Sequence, residues 1–253
     1  MTPDRLSGKH IAILAADGFE QAELDASCTA LRQCGAAITL VALRRGRIRG
    51  MHVHQSGELL KVDAVVETCR AADYDGLLLP GGYIGPDLLR QSAAARDFVC
   101  AFAAAGKPIA AMSHAVLVLV SSGLAAGRTL TAWPGIRDDV VNAGATWLDQ
   151  DCVRDGLLLT SRTPQDAAAF VPALVALFAG EPAATVAAAA ETSDPPREAP
   201  SETPGQPLRW LSAPSIGTML SLALLGVGVV AANHSRRRKD TAEAAPSAAN
   251  TES

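Results

Sequence analysis

Five short, almost wholly apolar runs punctuate the first 180 residues of this chain, at 10–15, 38–43, 76–79, 108–112 and 157–160. Each stops at a glycine, a proline or a polar turn. Runs this short, without polar alternation, suit strands covered on both faces, which is the habit of parallel sheets. Stretches with helical spacing lie between them, over 20–35, 87–105, 116–120 and 165–178. The first places Leu24, Cys28 and Leu31 on one face and ends on Gly35, as helix C-termini prefer. The second gathers Leu88, Leu89, Phe98, Val99 and Phe102. Strand and helix in alternation predict a doubly wound α/β sandwich over residues 8–180, with a mostly parallel sheet and helices on both faces. About 170 residues can bury a sizeable core of this kind.

The remainder reads differently. Residues 181–207 hold six prolines and five acidic residues but hardly any large apolar side chain, so the sequence predicts a disordered linker. Residues 210–233 contain no formal charge, and 24 residues of helix would cross a bilayer core of roughly 30 Å. A transmembrane helix is therefore expected there, followed by a tail over 234–253 that begins with Arg236, Arg237, Arg238 and Lys239. Those charges favour a cytoplasmic tail by the positive-inside tendency. The opening residues, however, have too short an apolar run for a secretory signal. Five cysteines in no C-x-x-C pair suit free thiols in a reducing compartment. The expectation is a membrane-anchored protein whose domain is cytoplasmic. A net charge of −4 argues against a nucleic-acid partner. Arg44, Arg45, Arg47 and Arg49 read as a solvated edge at a hairpin-like turn. His52 and His54 alternate along a predicted strand without further ligands nearby, so no metal or other cofactor is expected.

Ligands of open α/β sheets bind beyond the carboxyl ends of the strands. Three segments fall there: Asp17-Gly18-Phe19-Glu20, Pro80-Gly81-Gly82-Tyr83 and Ala111-Met112-Ser113-His114-Ala115. The last is a strand-to-helix turn with small residues around a hydroxyl, the layout of a nucleophile elbow. The Gly81-Gly82 turn can bring a second N–H to the same point, completing an oxyanion hole with the elbow's own N–H groups at His114.

The segments DGFEQAEL, YDGLLLPGGYIGPDLLR, GKPIAAMSHAVLVLVSSGLAAGRTLTAWPGIRDDVVNAGATW and DGLLLTSRTPQDAAAF resemble the ThiJ/PfpI family. Its members include stress proteins, intracellular cysteine peptidases, glyoxalases and deglycases on a class I glutamine amidotransferase-like fold. The resemblance runs through most of 8–180. It implies that Glu20 is the glutamate hydrogen-bonded to the reactive thiol and that Gly82 helps to form the oxyanion hole. It also implies that His114 is the histidine following the nucleophile. Asp87 lies near an acidic position that a neighbouring subunit supplies to orient that histidine, so a homodimer or larger ring is expected. Trp133-Pro134 matches an aromatic–proline turn near the pocket.

Two departures fall on the site itself: Ser113 stands where the family has cysteine, and Ala115 where it usually has glycine. A thiol at such a turn ionises readily, whereas a serine hydroxyl needs a positioned base. The leading expectation is a membrane-tethered, stress-related protein that is non-catalytic or weakly active and binds a small molecule or a partner. The alternative is a hydrolase or glyoxalase/deglycase-type enzyme with Ser113 as nucleophile, His114 as base and Asp87 as orienter.

Overall fold

Parallel pairing of the apolar runs organises the domain. In a computed structural model of the chain, residues 4–182 and 192–197 are described. In chain order the elements are β1 (His10–Leu14), β2 (Phe19–Glu20), α1 (Gln21–Gln33), β3 (Ala37–Ala42), β4 (Arg47–His52), β5 (Gln55–Lys61) and β6 (Ala64–Val65). Then come β7 (Gly76–Leu79), α2 (Gly85–Gln91), α3 (Ala93–Ala104), β8 (Ile109–Met112), α4 (Val116–Ser121), β9 (Thr129–Leu130) and α5 (Arg137–Asn142). The last are β10 (Thr146–Trp147), β11 (Cys152–Asp155), β12 (Leu158–Ser161) and α6 (Ala167–Phe178).

Seven strands form one sheet in the order β11-β12-β8-β7-β1-β3-β6, parallel throughout except for the antiparallel β11–β12 edge. Side chains alternate across it. Ala12, Leu14, Leu77, Leu79 and Ala111 pack with Phe98, Val99 and Phe102 of α3 on one face. Ile11, Ile13, Leu78, Ala110 and Met112 pack with Leu24 and Leu31 of α1 and Phe170 and Leu174 of α6 on the other. Two separate cores thus stabilise the two faces, as expected of the doubly wound class. Fully burying one such Leu or Phe contributes about 1.5–3 kcal/mol.

Several details depart from the sequence expectation. The helix expected over 87–105 is two helices, because Ser92 leaves helical backbone and its hydroxyl accepts the Ala95 N–H, capping α3. A three-stranded sheet, β2-β4-β5, stands apart from the main sheet; its antiparallel hairpin carries Arg47 and Arg49, and Arg44 and Arg45 lie in the turn before it. His52 closes β4 while His54 sits in the connecting turn, so the two do not share a strand.

Part of the stretch read as disordered linker is ordered. Residues 192–197 return to the β10 edge, where the Asp194 N–H donates to the Trp147 carbonyl at 2.9 Å. The Trp147 N–H donates to Ser193 Oγ at 3.0 Å, and the Asp149 N–H to Asp194 Oδ2 at 2.7 Å. Arg137 Nε donates to the Asp194 carbonyl, and Arg197 grips Asp149 with two nitrogens. Polar composition concealed this because the docking uses main-chain groups and the side chains of Ser193, Asp194 and Arg197 rather than apolar burial. The expected membrane helix at 210–233 and the tail at 234–253 lie outside the described residues. Among the described residues no helix is long and apolar enough to cross a membrane.

Candidate active site

The chain runs from β1 to β3 on one side and later to β7 on the other, so the strand order switches direction beside β1. The crevice at such a point is where ligands of this sheet class bind. All three segments singled out in the sequence meet there. They enclose a cleft of about 150 Å³ lined by Glu20, Glu23, Val53, Gly82, Tyr83, Ser113, His114, Trp133, Pro164 and Gln165. A smaller cleft of about 90 Å³ lies at the opposite ends of β8 and β12, near Lys107. The Lys107 ammonium is already held by the carbonyls of Ala71, Ala72 and Tyr74.

Ser113 sits directly after β8 with φ +52°, a left-handed conformation that a serine seldom adopts. That strain is the mark of an elbow, which turns the side chain out of the strand direction. Beyond it come a single 3-10 turn, Ser113–Ala115, and the six-residue α4. Such a short helix gives the site less dipole support than the sequence suggested. Ser113 is only 4% exposed.

His114 Nδ1 lies 3.3 Å from Ser113 Oγ, at the long end of hydrogen-bond reach. Its ring stacks against Trp133 at 5.5 Å between centroids and meets Tyr83 edge-on at 4.7 Å. Burial among these rings pushes the imidazole pKa down to about 4, so His114 is neutral near pH 7.

Two glutamates border the cleft, and they play different parts. Glu20 ends β2, and its Oε2 accepts the Val53 N–H at 2.9 Å, tying the tip of the β4–β5 hairpin to the cleft mouth. Glu23, one helical turn on, is deeper and 1% exposed. Its Oε2 accepts the Gly81 N–H at 2.7 Å, while Oε1 is buried without a hydrogen-bond partner. Desolvation, aided by the charge of Glu20, pushes its pKa up to about 8, so it holds a proton at neutral pH. A Cβ on Gly81 would come within 2.6 Å of Glu23 Oε2 and 2.8 Å of Ser113 Cβ, so both groups flank one point where only glycine fits. Glu23, which was not singled out in the sequence, thus shares with Ser113 the space beside Gly81, while Glu20, to which the resemblance gives the role of facing the nucleophile, lines the same cleft and holds the Val53 N–H.

Gly82 has φ +106°, and a Cβ there would collide with the Gly18 carbonyl and lie 2.7 Å from the Glu20 nitrogen. Glycine is required for the PGG turn to close against the β1 loop. The Gly81 N–H is taken by Glu23, leaving the Gly82 N–H without a protein partner among the described residues. It is the donor available to a developing negative charge.

Asp87 does not join this group within one chain. It is exposed on the first turn of α2, where Gln91 Nε2 donates to its carboxylate at 3.0 Å. Pro164 and Gln165, which the sequence reading passed over, form a wall of the cleft. Arg162 anchors that wall through Asp166 at 2.9 Å, Asp149 at 2.7 Å and Asp151. Thr163 and Asp166 form a reciprocal capping box around the same turn.

Comparison with known proteins gives a consistent picture. The family model described as DJ-1/PfpI family matches residues 9–177. A deglycase of Pyrococcus abyssi is 35% identical over 168 residues, covering 66% of this chain and 98% of the relative. Protein/nucleic acid deglycase 2 of Escherichia coli is 37% identical over 164 residues, covering 64% of this chain and 93% of the relative. The crystal structure of Drosophila melanogaster DJ-1beta superposes with a TM-score of 0.62 at 28% identity, over 68% of this chain and 91% of that one.

Proposed function

This chain belongs to the DJ-1/PfpI family, and from that premise we propose that its cleft binds a small molecule while catalysing little or no turnover. Relatives in the family bear the names of deglycases and cysteine-protease-like proteins, chemistry that the family resemblance assigns to a thiol. The observation that carries the reading is Ser113 at the strained elbow, served by a histidine that is neutral and weakly basic. A base whose pKa is about 4 has little power to draw a proton from an alcohol. Among the described residues no carboxylate hydrogen-bonds the His114 ring to raise that basicity. What remains is a cleft with an N–H donor, a protonated carboxyl and an aromatic wall, which suits binding.

Turnover of methylglyoxal and of a casein-type peptide tests this directly. The native protein should show little of either, and Ser113→Cys should gain reactivity with thiol alkylating agents, with a thiol pKa below the free value of about 8.5. The 3.3 Å approach of His114 to Ser113 favours a second reading, a serine-dependent hydrolase or glyoxalase/deglycase-type enzyme. Substantial native activity that disappears in Ser113→Ala would establish that reading instead.

The whole protein we read as a stress-related, membrane-tethered homodimer with a cytoplasmic domain. The uncharged stretch at 210–233 supports the tether. Fractionation should find the full chain with membranes, and a fully soluble chain would remove the anchor. The exposed position of Asp87 suits reaching the His114 ring of a second copy. A monomer mass by light scattering would take Asp87 out of the site.

A further inference from the structure

The outer edge of β10 is built to receive an extended chain. Thr146 and Leu148 donate their N–H groups inward, to the Arg128 and Leu130 carbonyls. Trp147, between them, therefore turns its N–H and carbonyl outward, as the residues of an open sheet edge do. Residues 192–197 fill that edge. The Trp147 N–H donates to Ser193 Oγ, and the Trp147 carbonyl accepts the Asp194 N–H.

The groups beyond the edge are fixed from the domain side. Asp149 donates its N–H to Asp194 Oδ2, and its carboxylate takes the Arg197 guanidinium through two nitrogens at 2.6 and 2.7 Å. Arg162 Nη1 holds the same carboxylate from behind at 2.7 Å, so Asp149 does not depend on the segment for its position. Arg137 Cζ lies 6.0 Å from the centre of the Trp147 ring, and its Nε donates to the Asp194 carbonyl at 2.8 Å.

The occupant is recognised by its pattern rather than by burial. In Ser193-Asp194-Pro195-Pro196-Arg197, the serine, the aspartate and the arginine each meet a matched partner. The two exposed prolines stiffen the spacing between Asp194 and Arg197. The segment carries no large apolar side chain, so polar contacts alone keep it in place. It also lies outside the family match, which ends at residue 177, and residues 183–191 separate it from Pro182. An identical segment from another molecule would reproduce every one of these contacts. Exchange of an identical element between copies is a low-cost route to association.

We propose that the Trp147 edge, Asp149 and Arg137 form a peptide-docking site whose partner is the Ser193–Arg197 segment of a second copy, exchanged for the chain's own. Each chain then gives one segment and receives one, and two copies close a symmetric pair. This contact uses neither the cleft nor Asp87, so it stands or falls apart from the reading of either.

The probe is a fluorescein-labelled, capped peptide with the sequence of residues 191–198. Its receptor is the full chain carrying Ser193→Ala, Asp194→Ala and Arg197→Ala, changes that release the native segment and touch neither core. By fluorescence polarisation the peptide should bind this variant about tenfold more tightly than the unaltered chain, whose own segment competes at an effective concentration of roughly millimolar. A peptide with alanine in place of the aspartate and the arginine should bind about tenfold more weakly, having lost its charge-assisted bonds. Adding Arg137→Gln to the receptor should weaken the native peptide about threefold. Arg197→Ala alone removes only an exposed ion pair and should give a smaller gain, about threefold. It decides the matter should the triple variant not fold.

Full chains test the second copy itself. On a surface of immobilised triple variant, Arg137→Gln chains keep the segment but hold it less firmly in their own site. They should be retained about threefold more tightly than free triple variant is. Contacts elsewhere between copies are common to both, so the difference belongs to the segment. Absence of peptide binding to the triple variant and to Arg197→Ala, equal binding of the alanine peptide, or no gain over the unaltered chain would overturn the docking site. Equal retention of the two full chains would overturn the second copy as its partner.

Discussion

A protonated carboxyl and a neutral imidazole on either side of one serine give this domain two opposed pH dependences. Glu23 binds its proton more tightly folded than unfolded, its pKa rising to about 8. Between the ordinary carboxylate range and pH 8 the folded state therefore holds a proton that the unfolded chain has released. Its stabilising contribution is complete below about pH 4.5 and is lost as pH rises through 8. His114 works in the other direction. Its pKa falls to about 4, so stability is lost as pH drops from 6.5 towards 4. Glu23→Gln should flatten the decline between pH 5 and 8, on the order of a few kcal/mol, as read from urea melts across that range. An unchanged slope would mean that Glu23 is already ionised in the fold. Val53 offers a second residue-level check, since a β-branched residue at φ +58° is strained and half exposed. Val53→Asn should raise stability by about 1 kcal/mol, measured by thermal melting. Sequence reading found Ser113, His114 and Gly82 because elbows and glycine turns leave local signatures. It passed over Glu23 because burial of a carboxyl is a property of the packed fold.

At the level of elements, the central strands were legible and the edges were not. β1, β7 and β8 are buried almost throughout, and β3 and β12 break their apolar runs only with Thr39, Thr160 and Ser161, so their sequences still read as short, almost wholly apolar runs. β9 and β10 are two residues each, too short for any period to register. The β4–β5 hairpin is polar because it stands outside the main sheet, and its burial is slight. Arg162 illustrates what such edges add. It gathers three aspartates around the turn carrying Pro164 and Gln165, and the Asp166 side chain is itself buried. Removing the cation leaves a buried carboxylate without compensation, a loss of about 3–5 kcal/mol. Arg162→Met should destabilise the domain by that order and weaken small-molecule binding in the neighbouring cleft. If stability fell with ligand affinity untouched, the turn would be scaffold alone.

The scale of the whole molecule decides where the folded unit ends. Periodicity stops after α6, and on that ground alone residues 1–180 form a complete domain. Chain contacts instead group residues 1–197 as one compact unit, because 192–197 dock on β10 through Asp194 and Arg197. Each hydrogen bond of that segment contributes about 0.5–1.5 kcal/mol, and its exposed ion pair less than about 1 kcal/mol. The entropy of ordering six residues offsets most of the total. A net contribution of about 1–2 kcal/mol corresponds to roughly 3–6 °C in Tm for a domain of this size. Truncation after residue 197 should give a folded domain. Truncation after 180 should also fold but melt lower by that interval, and Asp194→Ala within the longer form should reproduce most of the difference. The two truncations share the same sheet and both cores, so any gap between them belongs to the docked segment. Equal melting temperatures would reduce residues 192–197 to a passive connection, and failure of both to fold would show that the domain depends on residues 198–253.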